Sequence, residues 1–526
     1  MSQVSQMDLI NAQIEYGALG TSNKDITRNI LNEWRGSQPI KDMQEADNYY
    51  KVQNTEIDKK TRSYQDEEGK LILNDTLSNV KSKTAQYRKS VNQKYNYALS
   101  KPFIISCDND NYKQAWQDFL DNETRAVINR TGKDGINKGI GWTYPCINKE
   151  GKLKLIDLEP ETIYPAWTDR AHTELDAIVR DYTITEYTNL TPTNKQKVEF
   201  WDREIVEKYI DYSQGTDQSN GDLVPDNENG EYELKEGEAE RATIQQTHLS
   251  KKDGSGLSWN RVPFIFFKGC EDELPLLNEC KSDIDNYDTV KSKSIDSILD
   301  DIDAVLVVEG IGAEMGELAQ ARKMVQNSRI MAIDIGGSAK FEKVNADISA
   351  IAQQLEIIKK DIQDNTSTVD LTTIQLGTNP SGQSMKAFYE SLNIWANGYE
   401  AEFRVYMENL KYFFDMWLSW QGGYGSFEEL QKIPVTFTLD RDMMINENEL
   451  LEGVVKMNGI LSQETLDEMN PWVENHEKEQ QRREEDDKKE QEKQELFQFE
   501  TLNEEDTTET DENDEDNDKN ANDNKK

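Results

Sequence analysis

Histidine and cysteine are scarce in this 526-residue chain, with three of one and four of the other. His172, His248 and His476 lie far apart, and Cys107, Cys146, Cys270 and Cys280 show no CxxC spacing. A histidine-rich metal site, a zinc knuckle and a disulfide framework therefore have no support, and the thiols read as reduced in a cytosolic fold. Long apolar runs are missing as well. PFIFF at 263–267, among the longest, falls far short of a bilayer span. The polar start MSQVSQMDLINAQ has no apolar h-region, so neither a signal peptide nor a membrane is expected. Core-forming residues make up only 35% against 31% charged, with mean hydropathy −0.85. That is low for a compact enzyme of this length and fits a disordered part, a large partner interface or a stretched shape. Positive charge is also short: 60 Lys and Arg against 101 Asp and Glu leave a net −41. Such a balance argues against an ordinary static nucleic-acid binder, which carries a basic face, and suits a protein that avoids polyanions or docks basic partners.

What is present is a long series of amphipathic segments. Residues 1–24 read as a mobile arm, and 25–100 are helix-biased, with Tyr87, Val91, Tyr95 and Leu99 on one face. Pro102 ends that stretch, PFIIS reads as a short strand, and a second helix is expected over about 111–129. GWTYPCINKEGKLKLIDLEPETIYPAW predicts a hairpin turned at Lys149-Glu150-Gly151, and DAIVRDYTI and KQKVEFWDREIVEKYI continue the strands. A polar excursion covers 213–258, and NRVPFIFFKG closes an α+β body. From Leu277 the positions Cys280, Ile284, Tyr287, Ile295, Ile298 and Ile302 form one helical seam, with Lys291 filling the gap. Ile348, Ile351, Leu355, Ile358 and Ile362 form a second. The polar loop NTSTVDLTTIQLGTNPSGQS then leads to an aromatic helix from about Ser384 to Trp420. VTFTLDRDM reads as a strand, and two shorter helices follow, the second with Ser462 as N-cap and Thr465 at N3. Beyond about 477 the Glu/Asp/Asn/Lys composition predicts disorder.

One stretch imitates a cofactor site. In AVLVVEGIGAEMGEL (304–318) a β-prone run enters glycines at 310, 312 and 316, and RIMAIDIGG supplies a later strand with Asp334. The order matches a dinucleotide fingerprint, but the spacing is one residue too long and Met315 stands where the third glycine belongs. Glu309 and Glu314 flank the loop and would oppose a pyrophosphate at the helix start. A long one-faced helix sits on each side, where a doubly wound fold would repeat βαβ units. IGGSAK (335–340) lacks the phosphate-loop pattern, and DGSG (253–256) is an ordinary loop. No cofactor is expected, and the competing reading is a small β-α-β lobe between two long helices.

The order of parts resembles the portal proteins of tailed double-stranded DNA phages, the siphophage type of Gram-positive hosts, over about 25–475. The resemblance rests on NVKSKTAQYRKSVNQKYNYALSKPF, on EGKLKLIDLEPETIYPAW with AIVRDY, and on PSGQSMKAFYESL opening the long helix. Its strongest piece is VPFIFFKGCEDELPLLNECKSDIDNYDTVKSKSIDSILDDIDAVLVVEG. The resemblance implies an α+β portal fold and no enzyme. Its parts are a wing (25–274), a two-helix stem (275–302 and 347–365) and a small β-α-β clip (303–346). A tunnel loop (366–383), a long kinked helix with its connection (384–440) and a helical crown (441–476) follow. The disordered acidic tail (477–526) is longer than the resemblance requires.

It further implies a homo-oligomeric ring of twelve copies at one capsid vertex. Terminase would drive double-stranded DNA through it, and DNA would leave the same way at ejection. Terminase and a head–tail adaptor would dock on it, with major capsid and scaffolding proteins as further partners. Its location would be the virion, and the host cytoplasm during assembly. Candidate DNA-channel residues are Thr366, Ser367, Thr368, Thr372, Thr373, Gln375 and Asn379 of the loop, with Lys359 and Lys360 of the stem. Candidates for clip docking are Glu309, Glu314, Arg322, Lys323 and Lys340. Asp370 is the only charge from Thr366 to Gln383. A channel this acidic would hold DNA weakly, which favours translocation over grip. Two other readings stay open on sequence: a nucleotide-binding enzyme using the Gly310–Gly316 loop, and a helical scaffolding or adaptor protein.

Overall fold

A computed structural model describes residues 22–65, 70–73, 77–188, 191–212, 223–226, 246–250, 255–300, 304–309, 338–343, 348–370 and 389–441, with short pieces between 455 and 489. Helices α1 (Asn23–Trp34) and α2 (Gln38–Tyr50) precede a hairpin of β1 (Ser63–Gln65) and β2 (Leu71–Leu73), then α3 (Gln86–Leu99). Next come β3 (Ile104–Ser106), α4 (Asp110–Phe119) and α5 (Asn122–Lys138). Six strands follow: β4 (Ile140–Ile147), β5 (Leu153–Leu158), β6 (Ile163–Trp167), β7 (Leu175–Thr188), β8 (Thr191–Trp201) and β9 (Ile205–Asp211). The polar excursion carries four short strands among its described residues: β10 (Leu223–Pro225), β11 (Gln246–Thr247), β12 (Leu249–Ser250) and β13 (Gly256–Leu257). Strand β14 (Ile265–Lys268) leads to α6 (Leu277–Asp300), β15 (Ala304–Glu309), β16 (Ser338–Lys343) and α7 (Ile348–Asn365). Helix α8 (Glu390–Gln421), the short α9 (Phe427–Gln431) and β17 (Thr436–Thr438) complete the order.

Two apolar cores organise this unit. One packs α3, α4 and α5 around α8, whose Tyr399, Phe403, Tyr406, Leu410, Phe413 and Phe414 are all buried. The other lies under a sheet of order β10-β9-β8-β7-β6. A three-stranded sheet, β14-β4-β5, stands between them. Strand pleating sends successive side chains to opposite faces, so Ile265 and Phe267 enter the first core while Phe264 and Phe266 enter the second. That two-sided burial explains why PFIFF is apolar without alternation. The β4–β5 hairpin turns where expected: the Asn148 side-chain oxygen accepts from the amides of Glu150 and Lys152 at 2.9 Å, and Gly151 takes φ 82°.

Several expectations change in detail. The helix-biased stretch 25–100 is α-helical at its two ends; between 51 and 85 the described residues hold the β1–β2 hairpin and a 3-10 turn at Ile57–Lys59, and no α-helix. Helix α2 stops because Val52 enters the left-handed region at φ 62°, with Val52 N–H donating to Tyr49 O and Gln53 N–H to Asn48 O. The helix expected over 111–129 is two helices. Leu120 leaves the helical pattern, and the Asp121 carboxylate caps α5 by accepting from the Thr124 amide at 2.8 Å. The seam of α6 is buried only in its first half. Leu277, Cys280 and Ile284 are buried, whereas Ile298 is 67% exposed. Helix α7 packs on α6 through Ile358 and Ile362, and the Asn365 amide donates to Asp283 at 2.9 Å.

Strand β15 pairs antiparallel with β16, Glu309 opposite Ser338 and Val307 opposite Lys340. The first strand of a dinucleotide-binding unit has parallel neighbours, so this pairing departs from that pattern. The glycines at 310, 312 and 316 and the strand expected at 329–337 lie outside the described residues.

The chain divides into two compact units: Met1–Ile374 with Phe388–Met443, and Gln375–Ala387 with Met444–Lys526. In the second, the Ser462 hydroxyl accepts from the Thr465 amide at 3.3 Å, as its N-cap role predicts. Residues 479–489 are helical, which corrects the expectation of disorder from 477 onward for that piece. Pairs at helical spacing, Arg482 with Glu479 and Lys489 with Asp486, supply the local support that composition alone did not reveal.

Candidate functional site

The end of α7 is a closed junction. Thr368 N–H donates to Gln363 O at 2.9 Å and Ser367 N–H to Asp364 O at 3.2 Å, with Ser367 at φ 51°. This is a Schellman ending with serine where glycine is usual. Thr366 is fully buried and Thr368 nearly so. The Thr366 hydroxyl donates to Ile362 O at 2.7 Å, and the two threonine hydroxyls lie 2.9 Å apart. Buried hydroxyls must find partners, and these find them within the turn.

The next residues are held from a distance. The Gln93 side-chain amide grips the Val369 backbone twice: its NH2 donates to Val369 O, and its oxygen accepts from Val369 N–H, both at 2.9 Å. The geometry copies one rung of a β-ladder. Asp370 then accepts from the Lys359 ammonium at 2.7 Å, and that bond raises the lysine pKa above its ordinary value. A cavity of about 530 Å³ opens beside this pair, lined among others by Lys359, Lys360, Thr368, Asp370 and Ser391.

The candidate residues thus separate. In the single chain Thr366 and Thr368 spend their hydroxyls inside the fold. Lys359 is tied to Asp370, while Lys360 is exposed and Ser367 half-buried. Thr372, Thr373, Gln375 and Asn379 lie outside the described residues, as do Glu314, Arg322 and Lys323. Glu309 is the last residue of β15, opposite Ser338, and Lys340 is the third residue of β16, opposite Val307. On α6, Lys281 pairs with Asp285 at 3.2 Å, and Lys293 is exposed. Gln93 was missed from sequence. No local signal links it to Val369, since only the fold brings the two together.

Among the described residues no group of His, Cys, Asp and Glu is placed to hold a metal ion, and no helix is long and apolar enough to cross a membrane. The arrangement anchors the start of a long polar segment on a helix pair and offers no reacting constellation.

Comparison with known proteins gives the family. The family profile described as "Phage portal protein, SPP1 Gp6-like" matches residues 35–493. The portal protein of Bacillus phage SPP1 is 26% identical over 438 residues, covering 82% of this chain and 80% of that protein. The portal protein of Clostridium phage phiCD119 is 24% identical over 407 residues, covering 74% of this chain and 80% of that protein. A chain in a solved structure described as "Neck of native GTA particle computed with C12 symmetry" is 11% identical, with TM-score 0.32, over 72% of this chain and 88% of that one. That likeness is too loose to argue from. The family match spans most of the chain, its antiparallel sheets and helices agree with an α+β portal fold, and the chain belongs to the phage portal proteins of the SPP1 Gp6-like type.

Proposed function

We propose that copies of this portal protein close into a ring whose central channel passes double-stranded DNA at one capsid vertex, inward under the terminase and outward at ejection. One observation carries the reading. Helices α6 and α7 bury their shared seam near the body through Cys280, Ile284, Ile358 and Ile362, yet Ile298, Leu299 and Ile357 are 67%, 61% and 54% exposed in a single chain. An apolar helix face left open in one copy is covered when neighbouring copies pack side by side round a closed symmetry axis.

In this reading α6 and α7 are the stem, residues 303–346 the clip, 366–383 the tunnel loop and 441–476 the crown. The body before α6 is the wing. Lys360, Thr372, Thr373, Gln375 and Asn379 face the DNA, and Glu309, Glu314, Arg322, Lys323 and Lys340 serve docking of the terminase and the head–tail adaptor. Twelve copies, contacts with capsid and scaffolding proteins, assembly in the host cytoplasm and residence at the capsid vertex belong to the same proposal. The anchored loop base supports it in one respect. Val369 and Asp370 are pinned to α3 and α7, which fixes where the proposed tunnel loop begins. No catalytic step is assigned to the chain.

Negative-stain images of the purified protein are expected to show rings with a central hole. The pair Ile298→Glu and Leu299→Glu is expected to shift the population to single chains with unchanged circular dichroism. A monodisperse monomer for the wild type under all assembly conditions would sink the reading.

A further inference from the structure

Residues 54–84 form a limb with no share in either apolar core. Among the described residues from 51 to 86, none belongs to the two core clusters or packs against them. Ile57 is buried outside both, and Leu71, Ile72 and Leu73 of the hairpin are exposed. The limb is held to one face of α6 by polar groups. Asp288 accepts from the Asn54 amide and from the Thr84 hydroxyl, the latter at 2.6 Å. Ser292 accepts from the Ser82 amide at 2.9 Å. Asp296 accepts from the Val80 amide at 2.7 Å and from the Lys60 ammonium. Positions 288, 292 and 296 recur every helical turn, so they make one row, and all three are fully buried under the limb.

Two further observations bear on how firmly the limb is held. Its entry point is Val52, a β-branched residue at φ 62°, a conformation that L side chains avoid. Asp288 is covered by neutral donors, and burial pushes its carboxyl above the ordinary range. Meanwhile the two limbs of the segment are tied to each other: Lys83 pairs with Asp58 at 2.7 Å, and the Asn79 amide donates to Lys60 O at 3.1 Å. Lifting the segment would therefore expose little apolar surface, return a row of carboxylates and a hydroxyl to water, and leave the segment's own bracing in place.

We propose that the described residues 54–65 and 77–84 are a strap that opens as a unit from α6 while the body stays folded, uncovering the row Asp288, Ser292 and Asp296. Both states are compatible with water, because apart from Ile57 the contacts with α6 are polar on both sides. Opening frees only the stretch of α6 from Asp288 to Asp296, while Leu277, Cys280 and Ile284 stay in the body core. This rests on the strap contacts alone and holds or fails independently of the ring.

The test uses the full chain with Ser292→Cys and follows alkylation by N-ethylmaleimide site by site with mass spectrometry. Cys280 is the internal reference: it is fully buried on the same helix, but in the body core. The thiol introduced at position 292 is expected to react at least about 100-fold faster than Cys280, as for a sub-global opening well below global unfolding. Hydrogen exchange on the wild-type chain keeps the test independent of the substitution. The Val80 and Ser82 amides, both bonded to α6, are expected to exchange by a similar factor ahead of the Ile265 and Phe267 amides of β14, which face β4. A common rate in either comparison overturns the proposal, since the strap would then move only with the body.

Discussion

Asp134 offers a clean link between burial and pH. It lies on α5, and removal from water pushes its carboxyl from 3.8 up to about 6, with Lys138 working against that rise and Glu161 and Asp157 adding to it. The nearest strong pairing goes elsewhere, because the Lys138 ammonium is bound by Glu161 at 2.7 Å. The folded chain therefore holds this proton more tightly than the unfolded chain does. The stability it contributes is fully present below about 3.8 and is lost as pH rises through about 6. Above that pH the folded state carries an ionised carboxylate it disfavours. At about 1.4 kcal/mol per pH unit the interval sets an upper bound near 3 kcal/mol, and partial exposure brings the expected value to about 1–2 kcal/mol.

Asp134→Asn keeps the shape of the neutral acid and removes its titration. Urea denaturation at matched protein concentration is expected to show the variant more stable than wild type by about 1–2 kcal/mol at pH 7.5, falling to about a third of that at pH 4.5. The informative quantity is the difference between the two pH values, because helix propensity and side-chain packing do not depend on pH. An equal gain at both would refute the argument. A variant less stable at pH 7.5 would mean that the Asp134 carboxylate is held favourably by Lys138 or Lys133.

Three substitutions test other parts of the fold. Asp415, fully buried on α8, accepts from the Tyr112 hydroxyl, from Lys411 at 2.7 Å and from Gln431 at 2.7 Å. Asp415→Ala removes the acceptor of all three, leaving Lys411 only the Leu430 and Gln431 carbonyls, and should cost about 3–5 kcal/mol, read as a fall in Tm, with Asp415→Asn milder. Gly398 sits inside α8, and an added Cβ meets nothing within 4 Å. Gly398→Ala should therefore raise stability by about 1 kcal/mol in urea titration; a loss would mean that unseen contacts fill that space. Ser367→Gly relieves the left-handed turn that ends α7 and should add about 0.5–1 kcal/mol, whereas Ser367→Val should subtract at least as much, both read from urea midpoints.

The parts of the fold that were legible in the sequence share one property: their burial is periodic. Tyr399, Phe403, Tyr406 and Phe413 mark the inner face of α8, and the helices at Leu277 and Ile348 announce themselves through steps of three and four. The break between α4 and α5 was readable in principle, because Asp121 followed by Thr124 is an N-cap signal, but the apolar positions on either side suggested one helix. Polar burial leaves no such trace. Asp288 and Asp296 are two of 101 acidic residues, and only their placement under the strap separates them from solvated ones. Thr366 and Thr368 illustrate the converse, since a run of small polar residues reads as exposed loop while the turn folds their hydroxyls inward. The same rule bears on function. The family was legible in this sequence through the order of its parts. The contacts that pin the end of α7, Gln93 with Val369 and Lys359 with Asp370, join segments far apart in the chain or across a turn.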